Sequence, residues 1–191
     1  MKRAHPFAGV VWFFAKFAVI VAVLLMGWWT IQPWYVGGIG KAAGVLIVYV
    51  GGESLDGSAV EVDESGVLNT RTSLVYLQSD RRYPINVSFL IANLPTYIAL
   101  VLATTGLGWK RRARALAIGG GVLVAGHVIF LAVMFTFARQ VQSAPEVPTA
   151  FGMFLMTLPF LLWIVLAYWE KVVELFESVD ASGKKPEAPA P

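Results

Sequence analysis

The chain has 191 residues, of which 57% are hydrophobic, with a net charge of +3 and no cysteine. A chain of this length and composition has no room for a large soluble domain beside several membrane spans. Without cysteine it forms no disulfide, thiolate nucleophile or cysteine-ligated metal site. Its 2 histidines are too few and too far apart for a histidine-based metal cluster.

Four long apolar runs fill most of the chain, and no Asp, Glu or Arg lies deep inside any of them. They are residues 10–34, 86–109, 115–137 and 148–169. Each run reaches the roughly 20 residues that a helix needs to cross about 30 Å of hydrocarbon. The sequence therefore predicts an all-α membrane protein, built as a four-transmembrane-helix bundle.

The basic residues predict how this bundle is oriented. Ten of the 15 Lys and Arg residues lie near the first run's start, between the second and third runs, or after the fourth. They are Lys2, Arg3, Lys16, Lys110, Arg111, Arg112, Arg114, Lys171, Lys184 and Lys185. The positive-inside rule then places both termini and the 110–114 loop in the cytoplasm of a bacterial inner membrane. We interpret this loop as a topology signal rather than a nucleic-acid site.

The first run has a basic leading end but no small-x-small cleavage site after it, so we interpret it as a retained anchor within residues 1–35. Aromatic side chains at its far end predict an outer interfacial belt, matched by an inner belt. The outer set is Trp28, Trp29, Trp34 and Tyr35, and the inner set is Trp109, Trp163 and Trp169.

Residues 36–85 are expected to form an extracytoplasmic insert. Glycines punctuate residues 36–52 around Lys41, and the apolar core at 42–50 is too short to span. This segment predicts an interfacial or re-entrant helix, with a fifth span as the alternative. Alternating residues within 53–83 predict a β-hairpin or small meander, and its acidic residues are expected to be a solvated loop face. The tail, residues 171–191, has a largely disordered composition.

Polar residues recur along the second run, which belongs to the predicted 86–170 bundle. Asn86, Asn93, Tyr97 and Thr104 fall within about 60° of one another on a helix. Polar groups avoid lipid, so this stripe is expected to face other helices or a partner. Pro95 removes a backbone donor and predicts a kink near mid-membrane.

The third run carries small residues at four-residue spacing and one histidine at membrane depth. The small residues are Ala113, Ala117, Gly121 and Ala125, a ridge that permits close helix packing. His127 is either a functional intramembrane group or a neutral side chain bonded to Asn93 or to a freed carbonyl. Pro159 in the fourth run frees the carbonyl of Leu155, which is one candidate acceptor.

The order of these parts resembles the exosortase H-associated membrane proteins, small bacterial proteins encoded beside an exosortase. The likeness rests on a Trp-Trp-x-x-x-Pro-Trp anchor end at 28–34, an outer hairpin, and Asn-x(7)-Leu-Pro-x(3)-Ala-Leu-x-Leu-Ala-Thr at 86–104. It also includes the basic segment at 109–114 and two further runs. The resemblance implies an auxiliary role in sorting or anchoring proteins with a C-terminal membrane signal. It implies no catalysis, since exosortases use a cysteine that this chain lacks.

We therefore expect a non-catalytic accessory protein without cofactor or metal. Its expected partners are membrane lipid and a membrane protein such as an exosortase, contacted through Asn86, Asn93 and Thr104 and the outer hairpin. One alternative is a structural subunit of a larger energy-transducing membrane complex. A small transporter or membrane enzyme is a further alternative, which the missing buried carboxylates and nucleophile–base pairs disfavour.

Overall fold

The computed structural model describes residues 6–63, 71–137, 146–169 and 173, and the disordered tail predicted for 171–191 lies almost wholly outside them. The chain is mostly helical and carries one small sheet. The elements in chain order are α1 (Pro6–Tyr49), β1 (Gly57–Asp63), β2 (Arg71–Gln78), β3 (Arg81–Asn86), α2 (Ser88–Ile91), α3 (Asn93–Ala103), α4 (Trp109–Thr136) and α5 (Glu146–Trp163), which a π-helical turn at Ile164–Tyr168 continues.

Helix α1 is one continuous helix of 44 residues, about 66 Å long at 1.5 Å per residue. The separate interfacial or re-entrant helix expected over 36–52 is not a separate element, because α1 runs through it and ends at Tyr49. Glycines misled the prediction here. They were interpreted as residues that interrupt a helix. Three of them (Gly37, Gly40 and Gly44) instead lie inside α1 where the sheet approaches it.

The predicted hairpin or meander is a meander of three antiparallel strands in the order β1-β2-β3. Leu74 pairs with Val60 on one side and with Ile85 on the other. The side chain of Leu74 packs on Gly40, where any Cβ would overlap it. The hydroxyl of Tyr76 donates a hydrogen bond of 2.9 Å to the carbonyl of Gly40, and burial raises the pKa of this hydroxyl. The sheet therefore packs on the C-terminal part of α1.

The second apolar run is not one helix. Its first residue, Asn86, ends β3, and the helical part is divided at Ala92 into α2 and α3. The division lies one turn before Pro95, which has no backbone N–H to donate and crowds the preceding turn. Together the two pieces cover about 24 Å at the helical rise, less than the hydrocarbon thickness. The helix is interrupted one turn before Pro95, as a proline there favours, and the helical part of 86–109 is shorter than expected.

Among the residues that the structure describes, three helices are long and apolar enough to cross a membrane, namely Gly9–Tyr49, Trp109–Thr136 and Thr149–Tyr168. The helix Asn93–Ala103 is apolar but shorter. The mostly helical fold and the small sheet are thus confirmed, whereas four crossings stay a prediction. Helices α3, α4 and α5 pack on one another, and α3 and α4 also pack on α1. A hydrophobic cluster near the sheet joins Ile47 of α1 to Tyr76 of β2 and Phe135 of α4.

Candidate functional site

The stripe predicted on the second run is partly assembled, and its central member joins two helices. Asn93 is 6% exposed, and its amide nitrogen donates a 3.0 Å hydrogen bond to the carbonyl of Leu155 in α5. That carbonyl lacks the usual helical donor four residues later, because Pro159 has no backbone N–H. Asn93 therefore compensates a defect that the proline creates in the neighbouring helix.

Tyr97 joins α3 to α4. Its fully buried hydroxyl donates a 2.7 Å hydrogen bond to the carbonyl of Ala115. Its ring occupies the place where a Cβ on Gly119 would stand. Glycine at 119 is thus required by the close approach of an aromatic ring, and the pair fixes how α3 lies against α4.

Thr104 joins three elements at the opposite end of α3 from the sheet. The indole nitrogen of Trp163 donates to its hydroxyl at 2.8 Å, and that hydroxyl donates to the carbonyl of Leu100 at 2.8 Å. The guanidinium of Arg112 donates to the Thr104 carbonyl at 2.9 Å. Trp163, which was expected in an interfacial belt, is thus half-buried in the bundle, where Phe13 of α1 also stacks on it.

His127 has a partner that the sequence did not indicate. Its Nδ1 and the hydroxyl of Tyr35 in α1 share a hydrogen bond of 2.6 Å, so the expected bond to Asn93 or to a freed carbonyl is not made. His127 is fully buried, and its Nε2 has no hydrogen-bond partner among the described residues. The Nε1 of Trp28, whose ring contacts Tyr35, is likewise buried without one. The contacts among Trp28, Tyr35 and His127 therefore hold α1 against α4.

Asn86 does not belong to the stripe. It is the exposed last residue of β3, and its Oδ1 accepts a 3.0 Å hydrogen bond from the backbone N–H of Ser88. The prediction failed because it extended helical geometry backwards over a residue that belongs to a strand. This bond spans two residues and forms an Asx turn, which leads the chain from β3 into α2.

The small-residue ridge of α4 faces outward. Ala113, Ala117, Gly121 and Ala125 are all exposed, and nothing lies within 4 Å of a Cβ built on Gly121. The face of α4 that packs inside the protein carries Ala115, Gly119, Leu123 and His127 instead. The four-residue spacing defines a face but not the direction in which it points, so the predicted packing of this ridge against another helix stays a prediction.

A groove between the C-terminal part of α1 and β1 was not predicted. Its volume is about 270 Å³, and its lining includes Lys41, Gly44, Val48, Leu55 and Ser58. The apolar side chains Val45 and Val48 are 55% and 41% exposed there. The sequence signal was present in Gly40 and Gly44 beside an isolated lysine, but it was interpreted as a sign of an interfacial helix.

Three acidic side chains of the insert form hydrogen bonds or ion pairs with other residues of the insert. Glu61 pairs with Arg82, Glu53 accepts a 2.9 Å hydrogen bond from Gln78, and Asp56 accepts one of 2.7 Å from the backbone of Ser79. Within residues 6–63, 71–137, 146–169 and 173, no group of three His, Cys, Asp or Glu side chains is placed to hold a metal. These carboxylates act as turn and strand contacts.

No protein-family model matches the chain, and neither a curated protein nor a solved structure is similar to it.

Proposed function

We propose that this chain is a non-catalytic accessory protein of the bacterial inner membrane that assists an exosortase-type sorting and anchoring system. The family resemblance supplies the identity of that system. The observation that carries the binding role is the outward direction of the α4 ridge, since a small-residue face at membrane depth suits close approach of another helix.

The polar side chains of the bundle hold the chain's own helices together, which leaves the α4 ridge as the face proposed for partner binding. Asn93, Tyr97 and Thr104 each bond to a backbone carbonyl or a tryptophan of the same chain. The partner face first expected on Asn86, Asn93 and Thr104 is therefore not the face proposed now. The ridge of Ala113, Ala117, Gly121 and Ala125 takes its place.

The residues that carry the resemblance have roles in the fold. Leu94 packs beside Gly120 of α4, Pro95 divides the second helical run, and Thr104 joins the helix ends. A motif made of such residues preserves the shape of a scaffold, which is consistent with an accessory protein.

The test is co-purification in mild detergent with an exosortase-type enzyme expressed beside it. Gly121→Leu places a large side chain on the ridge at an exposed position where an added Cβ meets nothing within 4 Å, and it should reduce the recovered enzyme at least fivefold. Gly27→Leu is the matched control, because Gly27 is also exposed on an apolar helix with nothing within 4 Å of its Cβ position. Recovery of no exosortase by the unaltered chain, or equal recovery by both variants, would contradict the proposal. Recovery of electron-transfer subunits instead would favour the energy-transducing alternative.

A further inference from the structure

We propose that the groove between α1 and β1 binds an extended acidic segment of a partner protein, which adds to the sheet as a strand beside β1. The inference rests on the accessory function proposed above and names the chemistry of one partner segment. It concerns the sheet end of the molecule, away from the α4 ridge.

The first reason is the open edge of the sheet. Among the described strands, in the order β1-β2-β3, β1 pairs with β2 alone. Its other edge therefore has backbone N–H and C=O groups that meet no strand within the part of the chain that the structure describes. Extended peptides bind such edges through main-chain hydrogen bonds. Gly57 and Ser58 of β1 line the groove, and their small size lets a second backbone approach the strand.

The second reason is the floor that α1 provides beneath this edge. Val45 and Val48 remain exposed on α1, and Leu55 adjoins them in the groove. Alternate side chains of a strand point to one face. Every second side chain of an added strand would therefore meet this apolar floor, which selects apolar residues at those positions.

The third reason is charge. Lys41 lines the groove and is exposed, and it forms no ion pair or hydrogen bond within the described part of the chain. The carboxylates of Glu53 and Asp56, on either side of Leu55 in the chain, already accept hydrogen bonds from Gln78 and from the backbone N–H of Ser79. An ammonium group in a groove whose other described lining residues carry no charge favours one carboxylate on the side of the bound segment that faces α1.

A phospholipid fits the groove less well, although its phosphate would also pair with Lys41. The apolar surface of α1 that suits hydrocarbon continues from Lys41 towards Val10, through Trp34 and Val23. The groove lies in the other direction, between Lys41 and Tyr49. A lipid with its phosphate at Lys41 would therefore extend its chains away from the groove and leave it empty.

The test uses the full chain in detergent and the fluorescent peptide Thr-Val-Thr-Glu-Thr-Val-Thr, measured by anisotropy. Its sequence is the same in both directions, so it presents Val, Glu and Val to α1 in either strand orientation. The comparison peptide has Lys in place of Glu, and a third peptide carries N-methyl groups along its backbone.

The unaltered protein should bind the Glu peptide about fivefold more tightly than the Lys peptide, the effect of one exposed charge pair. Lys41→Glu should reverse this preference, and the gain of Lys-peptide binding would itself show that the variant folds. Arg81→Glu is the matched control, because it makes the same charge change on an exposed residue of β3 at the far edge. It should keep the original preference. Backbone methylation should abolish binding of either peptide.

Three outcomes overturn the inference: no peptide binding, a preference that Lys41→Glu leaves unchanged, or undiminished binding of the methylated peptide. A lipid occupant is tested by competition with nanodiscs. It is the result if phosphatidylglycerol nanodiscs prevent the peptide from binding to the unaltered protein while phosphatidylcholine nanodiscs do not. In that case phosphatidylglycerol nanodiscs should also leave peptide binding to the Lys41→Glu variant unchanged. If an exosortase co-purifies through the α4 ridge while no peptide binds, the accessory function stands and the groove inference fails. If the peptide binds as expected and no exosortase co-purifies, the groove inference stands and the proposed accessory function fails.

Discussion

Replacing Asn93 with leucine should destabilise the protein through one identifiable hydrogen bond. The amide of Asn93 is the donor to the Leu155 carbonyl, which Pro159 leaves without a helical partner. The leucine would fill a similar volume but donate nothing, so a buried carbonyl would remain unpaired. Hydrogen bonds between membrane helices contribute about 0.6 kcal/mol on average and about 1.7 kcal/mol at most, and this one leaves its acceptor stranded. We expect a loss of about 1 kcal/mol.

The cause can be separated from any other effect of the leucine by a double-mutant cycle with Pro159→Ala. Alanine at 159 restores the backbone N–H that the Leu155 carbonyl lacks, and the carbonyl no longer needs Asn93. The cost of Asn93→Leu should therefore fall to near zero in the Pro159→Ala background. The coupling energy between the two changes should be about 1 kcal/mol, whatever Pro159→Ala costs by itself.

The assay is equilibrium unfolding of the detergent-solubilised chain in increasing mole fractions of a denaturing detergent, followed by circular dichroism. Thr157→Val is the control, because its hydroxyl also donates to a carbonyl of α5, that of Phe154, but at an exposed site within one turn. It should change the free energy of unfolding by less than about 0.5 kcal/mol. An equal cost of Asn93→Leu with proline or alanine at 159 would refute the reasoning.

Three further predictions concern packing and topology. Gly119→Val should cost about 3 kcal/mol of unfolding free energy, because the new side chain would occupy the place of the Tyr97 ring. Gly40→Ala should destabilise by about 1–2 kcal/mol, since its Cβ would overlap the buried Leu74, whereas Gly44→Ala meets ordinary contacts and should be neutral or stabilise by up to about 1 kcal/mol. With no cysteine in the chain, Ser54→Cys should react with a membrane-impermeant maleimide on intact cells, and Lys110→Cys only after permeabilisation.

Each of these has a result that would contradict it. Gly121→Val is the control for Gly119→Val because its Cβ position is open, and an equal loss in both would mean that helix propensity rather than the Tyr97 ring sets the cost. Destabilisation of the same size by Gly40→Ala and Gly44→Ala would refute the proposed approach of the sheet at Gly40. Labelling of Lys110→Cys on intact cells would invert the predicted orientation.

Hydrophobic runs and strand alternation predicted the class of each element, while the faces and ends of the elements required tertiary contacts. Asn93 and Tyr97 were expected to face other helices, and they do, since a buried amide or phenol needs a hydrogen-bond partner. Asn86 was misplaced because angular spacing is meaningful within a helix and Asn86 precedes it. The end of α1 was placed too early because a glycine weakens a helix by propensity, and packing of the sheet outweighs that cost.

His127 shows why the site itself was harder to predict than the fold. A lone intramembrane histidine invites a partner, and the sequence offered Asn93 and the freed carbonyl of Leu155 as candidates. The structure joins these two to each other and gives His127 the hydroxyl of Tyr35, 92 residues away in the chain. Donors and acceptors in a bundle compete for one another, so assigning any one bond requires the helix positions that decide all of them.

The same competition indicates which surfaces merit experiments on binding. Inside the bundle, Asn93, Tyr97 and Thr104 hold the helices together, so their replacement would disturb stability and binding alike. Gly121 and Lys41 are exposed, and neither is part of the chain's own packing. Substitutions at these two positions can therefore reduce partner binding without lowering the unfolding free energy. A variant of either that lost binding and stability together would show that the outer surfaces are structural after all.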